Sequence, residues 1–258
     1  MGQSVLNFYD GLSEDYHLIF KDWDTSVKWH ARVIDKVIQE HISKSREEIS
    51  LFDCSCGIGT QAIGLALLGY NVHATDLSPK AVVRAQREAE RLDAVMTFGT
   101  ADFRTLDKQV NGLFNVIITC DNSLPHLIEE SDLLLTIQNI SSKLKTGGLF
   151  LASIRDYDQL IIERPKLMSS SVVDSEKERR IVFQVWDWHD KNDIYTVNQF
   201  IVRGCEESWE TTKWSTLYRA ISKQELKDVL EETGFVEVIW HMPEETGYYQ
   251  PIITAIRR

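Results

Sequence analysis

Residues 53–60 read Asp53-Cys54-Ser55-Cys56-Gly57-Ile58-Gly59-Thr60. The stretch ahead of them, Ile49-Ser50-Leu51-Phe52, is short and mostly apolar, as a buried strand is, and residues 57–68 carry a helical pattern. The octet therefore lies where a strand ends and a helix begins. Glycines at such a place let the chain turn tightly and approach a ligand closely, while the first N–H groups of the helix lack partners. A Gly-x-Gly alone is equally compatible with an ordinary strand-to-helix turn.

Outward from this turn, short apolar runs alternate with helical patterns. Strands are predicted at residues 49–53, 71–75, 96–100, 114–119 and 149–154. Helices are predicted at 57–68, 79–91 and 130–144, the second opened by Ser78 as N-cap and Pro79 in the first turn. The last of these helices is closed by Lys145-Thr146-Gly147-Gly148. This alternation predicts an α/β fold, a Rossmann-like, doubly wound, mostly parallel seven-stranded sheet. Residues 1–48 form an N-terminal helical lid, with Val27, His30, Val33, Ile34, Val37, Ile38 and Ile42 at helical spacing behind an aromatic-rich start.

After strand five the pattern changes to three antiparallel strands, 180–188, 194–202 and 209–218, with residues 189–193 as a turn: an antiparallel β insertion. A helix at 222–234, with Ser222 and Glu225 as a capping box, and a hairpin of 235–240 with 251–256 complete the sheet. The expected division is a single domain: 1–48 lid, 49–155 core, 156–220 β-rich flap, 221–258 closing helix and hairpin.

The 258 residues carry 28 Lys+Arg against 39 Asp+Glu, a net charge of −11, which disfavours nucleic acid and anionic membrane as partners. No apolar run reaches the ~18–20 residues of a membrane span. The first residues lack a basic start followed by an apolar block, and Leu6 stands where a myristoylation signal needs Ser or Thr. Cys54, Cys56, Cys120 and Cys205 do not form a disulfide framework in a chain of this length. Cys54-x-Cys56 lacks the further ligands of a zinc site and reads as filling of a tight turn, so no metal is expected. A cytoplasmic protein is the expectation; the oligomeric state is open.

Two ligand readings compete for the glycine turn. Gly57-Ile-Gly59-Thr-Gln-Ala62, with Asp76 about twenty residues on, fits a dinucleotide fingerprint. Against it, Asp53 ends the strand before the turn, where a carboxylate sits badly beside a pyrophosphate but well beside a sulfonium or ammonium. Asp76 ends the next strand and can accept two ribose hydroxyls. Asp102, in Thr100-Ala101-Asp102-Phe103, follows the third and can accept an adenine amino proton. Three acids at three strand ends suit a cationic nucleoside.

In this order, Asp53-x-x-x-Gly57-x-Gly59, Asp76, Ala101-Asp102-Phe103, Phe114-Asn-Val-Ile-Ile-Thr-Cys120 and Leu144-Lys-Thr-Gly147-Gly148 resemble the motifs of class I S-adenosylmethionine-dependent methyltransferases. Ser55 departs from the first glycine that the family often has. The resemblance implies S-adenosylmethionine as cofactor, with S-adenosylhomocysteine as product. It places Asp53, Gly57 and Gly59 at the methionine end, Asp76 at the ribose, and Asp102 with Phe103 at the adenine, and counts Leu77 and Cys120 among the cofactor-binding residues.

Residues 8–23, Cys120-Asp-Asn122-Ser123-Leu-Pro-His126-Leu127 and Arg155-Asp156-Tyr157-Asp158 are similar to segments of the glycine/sarcosine N-methyltransferase branch. This implies that Arg155 grips an acceptor carboxylate, that Asn122 orients acceptor and cofactor, and that Tyr9, Tyr16 and Trp29 close over the methionine end. The implied reaction methylates a nitrogen of a small polar acceptor, such as glycine or sarcosine. An amine need only arrive deprotonated, so no strong general base is required. The alternatives are an O-methyltransferase or amino-sugar N-methyltransferase on the same core, a nicotinamide oxidoreductase, or a non-catalytic nucleoside sensor.

Structural readings stand beside these. Tyr9, Tyr16, Phe20 and Trp23 also suit a lid packed on the sheet, and Arg155 an ion pair with Asp156 or Asp158. His17 and His126 read as neutral histidines bonded to backbone. Trp186, Trp188, Trp209 and Trp214 are expected on the inner face of the flap, and residues 174–180 as a solvated charge run.

Overall fold

The structure is a computed structural model and describes residues 2–175, 178–190, 193–205 and 208–258. The chain opens with α1 (Gly2–Leu12), a short 3-10 turn at Tyr16–Ile19 and α2 (Trp23–His41). Asp22 caps α2 by accepting the Thr25 N–H at 2.8 Å. The stripe Val27, His30, Ala31, Ile34, Val37 and Ile38 turns inward from it.

The main sheet then builds as β1 (Ser50–Asp53), α3 (Thr60–Leu67), β2 (Asn71–Asp76), α4 (Pro79–Arg91), β3 (Thr97–Thr100), α5 (Leu106–Gln109), β4 (Phe114–Thr119), α6 (Glu130–Lys143) and β5 (Leu144–Ser153). It is completed after the flap by α8 (Lys223–Glu232), β10 (Phe235–His241), α9 (Pro243–Thr246) and β11 (Ile252–Arg257). Its order is β10-β11-β5-β4-β1-β2-β3, with β1 to β5 parallel and β11 antiparallel to both of its neighbours. The mostly parallel seven-stranded sheet read from the alternation is thus present. β4 is buried at every residue, as a central strand covered on both faces must be. The strand order reverses between β1 and β4, and the crevice beyond their carboxyl ends is where an open sheet of this kind accepts ligands.

The flap is introduced by α7 (Tyr157–Glu163) and consists of β6 (Leu167–Asp174), β7 (Arg179–Trp188), β8 (Ile194–Cys205) and β9 (Ser208–Arg219), paired antiparallel in that order. It has four strands where the sequence indicated three. β6 was missed because Lys166, Ser169, Ser170 and Ser171 break up its apolar residues, and pairing with β7 supplies what its own pattern lacks. β5 also begins earlier than expected, because the Lys145–Gly148 segment continues the strand with Gly147 at φ +72°.

The flap shares a core with the sheet: Trp186, Tyr195 and Val197 pack with Phe150, Ile154 and Tyr157. Trp186 is fully buried, but Trp209 is exposed and stacks under Arg179, contrary to a common inner face. Trp214 packs against Gly11 of α1, so it contacts the lid.

Residues 176–177 of the charge run, and 191–192 of the expected turn, lie outside the described residues. Asp174, Ser175 and Arg179 are exposed as expected, but Arg180 at the end of that run is only 4% exposed, which corrects the solvated reading for this residue. Its guanidinium donates to the backbone carbonyls of Leu18 at 3.0 Å and Phe20 at 2.7 Å, holding the lid turn against the flap. Among the described residues no helix is long and apolar enough to cross a membrane.

Candidate active site

The glycine turn folds as its residue types require. Gly57 and Gly59 sit at φ +53° and +92°, and Gly59 caps α3 from the left-handed region. A Cβ on Gly59 would lie 2.6 Å from Ile63 Cδ1, so shape as well as backbone excludes a side chain there. Asp53 lies beneath the loop: its Oδ1 accepts the Ser55 N–H at 3.1 Å and it is 1% exposed. Burial pushes this carboxyl up to about 7.

Above the loop is a cavity that opens to solvent. Gly57, Asp76, Leu77, Asp102, Phe103 and Cys120 line it, joined from the lid by Tyr9 and Tyr16. Asp76 accepts the Gly57 N–H at 2.9 Å and the Ser78 N–H at 2.8 Å, leaving lone pairs for further donors. Burial raises its pKa despite these bonds. Asp102 is held differently. Burial works against its charge, but Arg104 donates to both of its oxygens and keeps the carboxyl below the usual range. Arg104 also donates to Asp132 at 2.9 Å.

Three expected residues are elsewhere. Asp53 and Gly59 shape the loop without lining the cavity, and Trp29 lies outside it, stacked on Tyr248 at 5.6 Å between centroids. The expectation for Trp29 is corrected: α2 faces the C-terminal loop at this point, so the indole packs there.

A second and wider cleft, open to solvent, lies between lid, flap and C-terminal loop. Arg155 faces into it. Burial works against its charge, but Tyr195, Tyr157 and Tyr218 around it raise its pKa, so it stays cationic. Its Nη1 and Nη2 reach Tyr195 Oη and Gln184 Oε1, both at 3.3 Å, and the guanidinium stacks 4.8 Å from the Trp186 ring centroid. Asp156 and Asp158 pair with Lys223 instead, at 2.8 and 3.4 Å. Among the described residues Arg155 has no ion-pair partner, so the strand-end ion pair is not what holds it.

Asn122 lines neither space. It is 1% exposed; its Oδ1 accepts the Arg155 N–H at 3.1 Å, and its amide exchanges hydrogen bonds with Tyr157 Oη. Its amide bonds toward the β5 exit and so fixes the backbone that carries Arg155.

Tyr9, Tyr16 and Asp121 are common to both spaces, which meet at these three residues. Asp121 went unnoticed in the sequence; its place beside Cys120 at the end of β4 was the available signal. His126, also in the first cavity, shares a hydrogen bond of 2.8 Å between its Nε2 and Tyr9 Oη, and burial lowers its pKa to about 3. Its partner is thus a side-chain hydroxyl where the sequence suggested backbone. Cys54, Cys56 and Cys120 are free thiols whose pKa values burial raises well above the ordinary. Among the described residues no cluster of three potential ligands could hold a metal ion.

Residues 51–148 match a family described as a methyltransferase domain. Over 159 residues the chain is 30% identical to the glycine/sarcosine N-methyltransferase of Parasynechococcus marenigrum (strain WH8102), covering 59% of this chain and 55% of that protein. The chain spans about half the length of the curated relatives it matches. Among solved structures, an S-adenosylmethionine-dependent methyltransferase from Clostridium acetobutylicum ATCC 824 superposes with a TM-score of 0.70 at 18% identity, over 90% of this chain and 91% of that one. An amino pentose methyltransferase from Micromonospora echinaspora, bound to S-adenosylmethionine, gives 0.68 at 16% identity over 89% and 92%. The two structures share this fold.

Proposed function

We propose that this chain, whose residues 51–148 match a methyltransferase domain, is a class I S-adenosylmethionine-dependent methyltransferase that transfers the methyl group to a nitrogen of a small acceptor bearing a carboxylate. The observation that carries this reading is Arg155: a half-buried guanidinium turned into the open cleft, with no salt bridge among the described residues. An arginine fork suits a carboxylate bidentately. Glycine and sarcosine, the acceptors in the name of the cyanobacterial relative, are the smallest members of that class.

The first cavity fits the donor by the chemistry of its lining. Asp76 keeps acceptor capacity for two ribose hydroxyls, Asp102 and Phe103 border the far end, and Tyr9 and Tyr16 offer aromatic faces to a sulfonium. When bound, the donor supplies an electrophilic methyl group. The chain's own part is alignment and exclusion of water: the loop and Asp76 seat one substrate, Arg155 the other, and the lid covers the place where the two spaces join.

The size of the second cleft favours a second reading, an amino sugar, with Gln184 and Gln199 as hydroxyl partners. Amino acids and amino sugars, incubated with methyl-labelled donor, separate the two. Methylated amino acid that disappears with Arg155→Gln supports the first reading; methylated amino sugar indifferent to that change supports the second. Calorimetry with S-adenosylhomocysteine and NADH separates both from an oxidoreductase.

A further inference from the structure

We propose that Asp121 is a catalytic residue of this site, accepting the proton that the acceptor nitrogen must shed before it can attack. The proposal rests on the amine-methylation reading above and assigns a base where the sequence called for none.

Position is the first argument. Among the described residues Asp121 is the one carboxylate that lines both spaces, at the place where donor and acceptor have to meet. The other acids of the first cavity are engaged: Asp76 by the Gly57 and Ser78 N–H groups, Asp102 and Asp132 by Arg104. In the second, Asp156 is held by Lys223 and Glu163 accepts from Gln159, and neither these two nor Glu244 lines the first cavity.

Backbone conformation is the second. Asp121 and Asn122 are consecutive non-glycine residues in the left-handed region, at φ +63° and +68°. Such strain persists only where the surroundings over-determine it, and it gathers at functional sites. Here the Asp121 N–H donates to Ser153 Oγ at 2.8 Å and the Asn122 N–H to Ser153 O at 3.0 Å, while the Asn122 amide is clamped to Arg155 and Tyr157. Three residues thus force β4 to end in a turn that carries Asp121 into the junction.

Proton affinity is the third. Arg155 from the β5 exit, Tyr16 from the lid, Tyr218 from β9, Tyr248 from the C-terminal loop and the neighbouring Cys120 are the charged and titratable groups around Asp121. Burial keeps the phenols and the thiol neutral, so Arg155 is the single charge facing it. Burial lifts the Asp121 carboxyl to about 6, against the pull of Arg155 and a hydrogen bond from Gln61. Burial lowers His126 to about 3, which makes it a far weaker base.

The step balances without a further reactant. The acceptor ammonium gives one proton to the Asp121 carboxylate, leaving a neutral amine and a carboxylic acid. The nitrogen lone pair forms the N–CH3 bond as the S–CH3 bond breaks, and sulfur keeps that electron pair, leaving a thioether and a methylated ammonium. The carboxylic acid then returns its proton to solvent through the open second cleft.

The test compares wild type with Asp121→Asn and Asp121→Glu, on the acceptor amine that the panel identifies. Asparagine tolerates the left-handed conformation, and S-adenosylhomocysteine affinity within about threefold of wild type certifies the folded site. Turnover at saturating acceptor is followed from pH 5 to 9, and the carboxyl is titrated by difference infrared spectroscopy, which needs no turnover. The expected result is an acid limb near pH 6 and a carboxyl titrating with it in wild type, both absent in Asp121→Asn, whose kcat falls about 10²-fold or more. Asp121→Glu regains part of the rate and keeps a limb. Asp121→Asn retaining rate and limb on an amine that wild type methylates overturns this proposal alone. Wild type methylating no amine overturns the amine reading, and this proposal with it.

Discussion

The carboxylate of Asp76 accepts the backbone N–H of Gly57 at 2.9 Å, tying the end of β2 to the glycine turn after β1. One side chain therefore holds the loop in shape and presents its remaining lone pairs to the cavity. Asp76→Ala is expected to weaken S-adenosylhomocysteine binding by tenfold or more, about 1.4 kcal/mol per decade, because both contributions go together. Asp76→Asn, which can still accept the Gly57 N–H, should lose less. Calorimetry on both variants checks the order; Asp76→Ala binding at wild-type strength would sink the assignment of this cavity to the donor.

Asp53 links the same loop to pH. Its carboxyl is raised from 3.8 in the unfolded chain to about 7 when folded, so between these values the folded state binds the extra proton. The stabilisation this gives is complete below about pH 4 and is lost as pH rises through 7. Asp121, raised to about 6, and Asp76, also raised, act with the same sign. The melting temperature should accordingly fall between pH 5 and pH 8. Asp53→Asn keeps an oxygen for the Ser55 N–H and removes the titration, so it should flatten that fall and melt a few degrees higher than wild type at pH 8. Calorimetric melts across the range decide it.

Arg155 tests the acceptor. With Arg155→Gln the KM for a carboxylate-bearing amine should rise at least tenfold, while donor affinity, set in the other cavity, stays within about threefold. Arg155→Lys should recover only part, since an ammonium cannot reproduce the planar fork. Steady-state kinetics with the amino acid and its amide separates charge recognition from general packing: the amide should be nearly indifferent to the substitution.

Asn122 should behave as a structural residue. Asn122→Ala removes the acceptor for the Arg155 N–H and the amide partner of Tyr157 Oη, so it should destabilise by about 1–3 kcal/mol in urea unfolding. Its effect on KM should follow that of Arg155, whose backbone it holds. A loss of activity with unchanged unfolding would contradict this account.

The core sheet was legible in the linear chain because its signals are local. A short apolar run, a glycine turn and a capped helix repeat along residues 49–154, and each reports the conformation of its own few residues. Pro79 and Ser78 fixed the start of α4 to the residue, since proline and a side-chain cap act within one turn. The flap was less legible. β6 is a strand through its pairing with β7, while Trp209, five residues from Trp214 on β9, falls on the opposite face of that strand and is exposed.

For the site, residue order alone determined which acids stand at strand ends, and hence that Asp76, Leu77, Asp102 and Phe103 border one space. What only the tertiary structure decided is how side chains separated by many residues are shared out. Lys223 takes Asp156 and Asp158 and leaves Arg155 for the cleft; Tyr157 takes the Asn122 amide; Arg180 leaves an apparent surface run to hold the lid. A carboxylate, an amide or a guanidinium can bond to many partners, and its type is written in the sequence. Which partner lies within reach is set by packing across the sheet, and no local pattern encodes that.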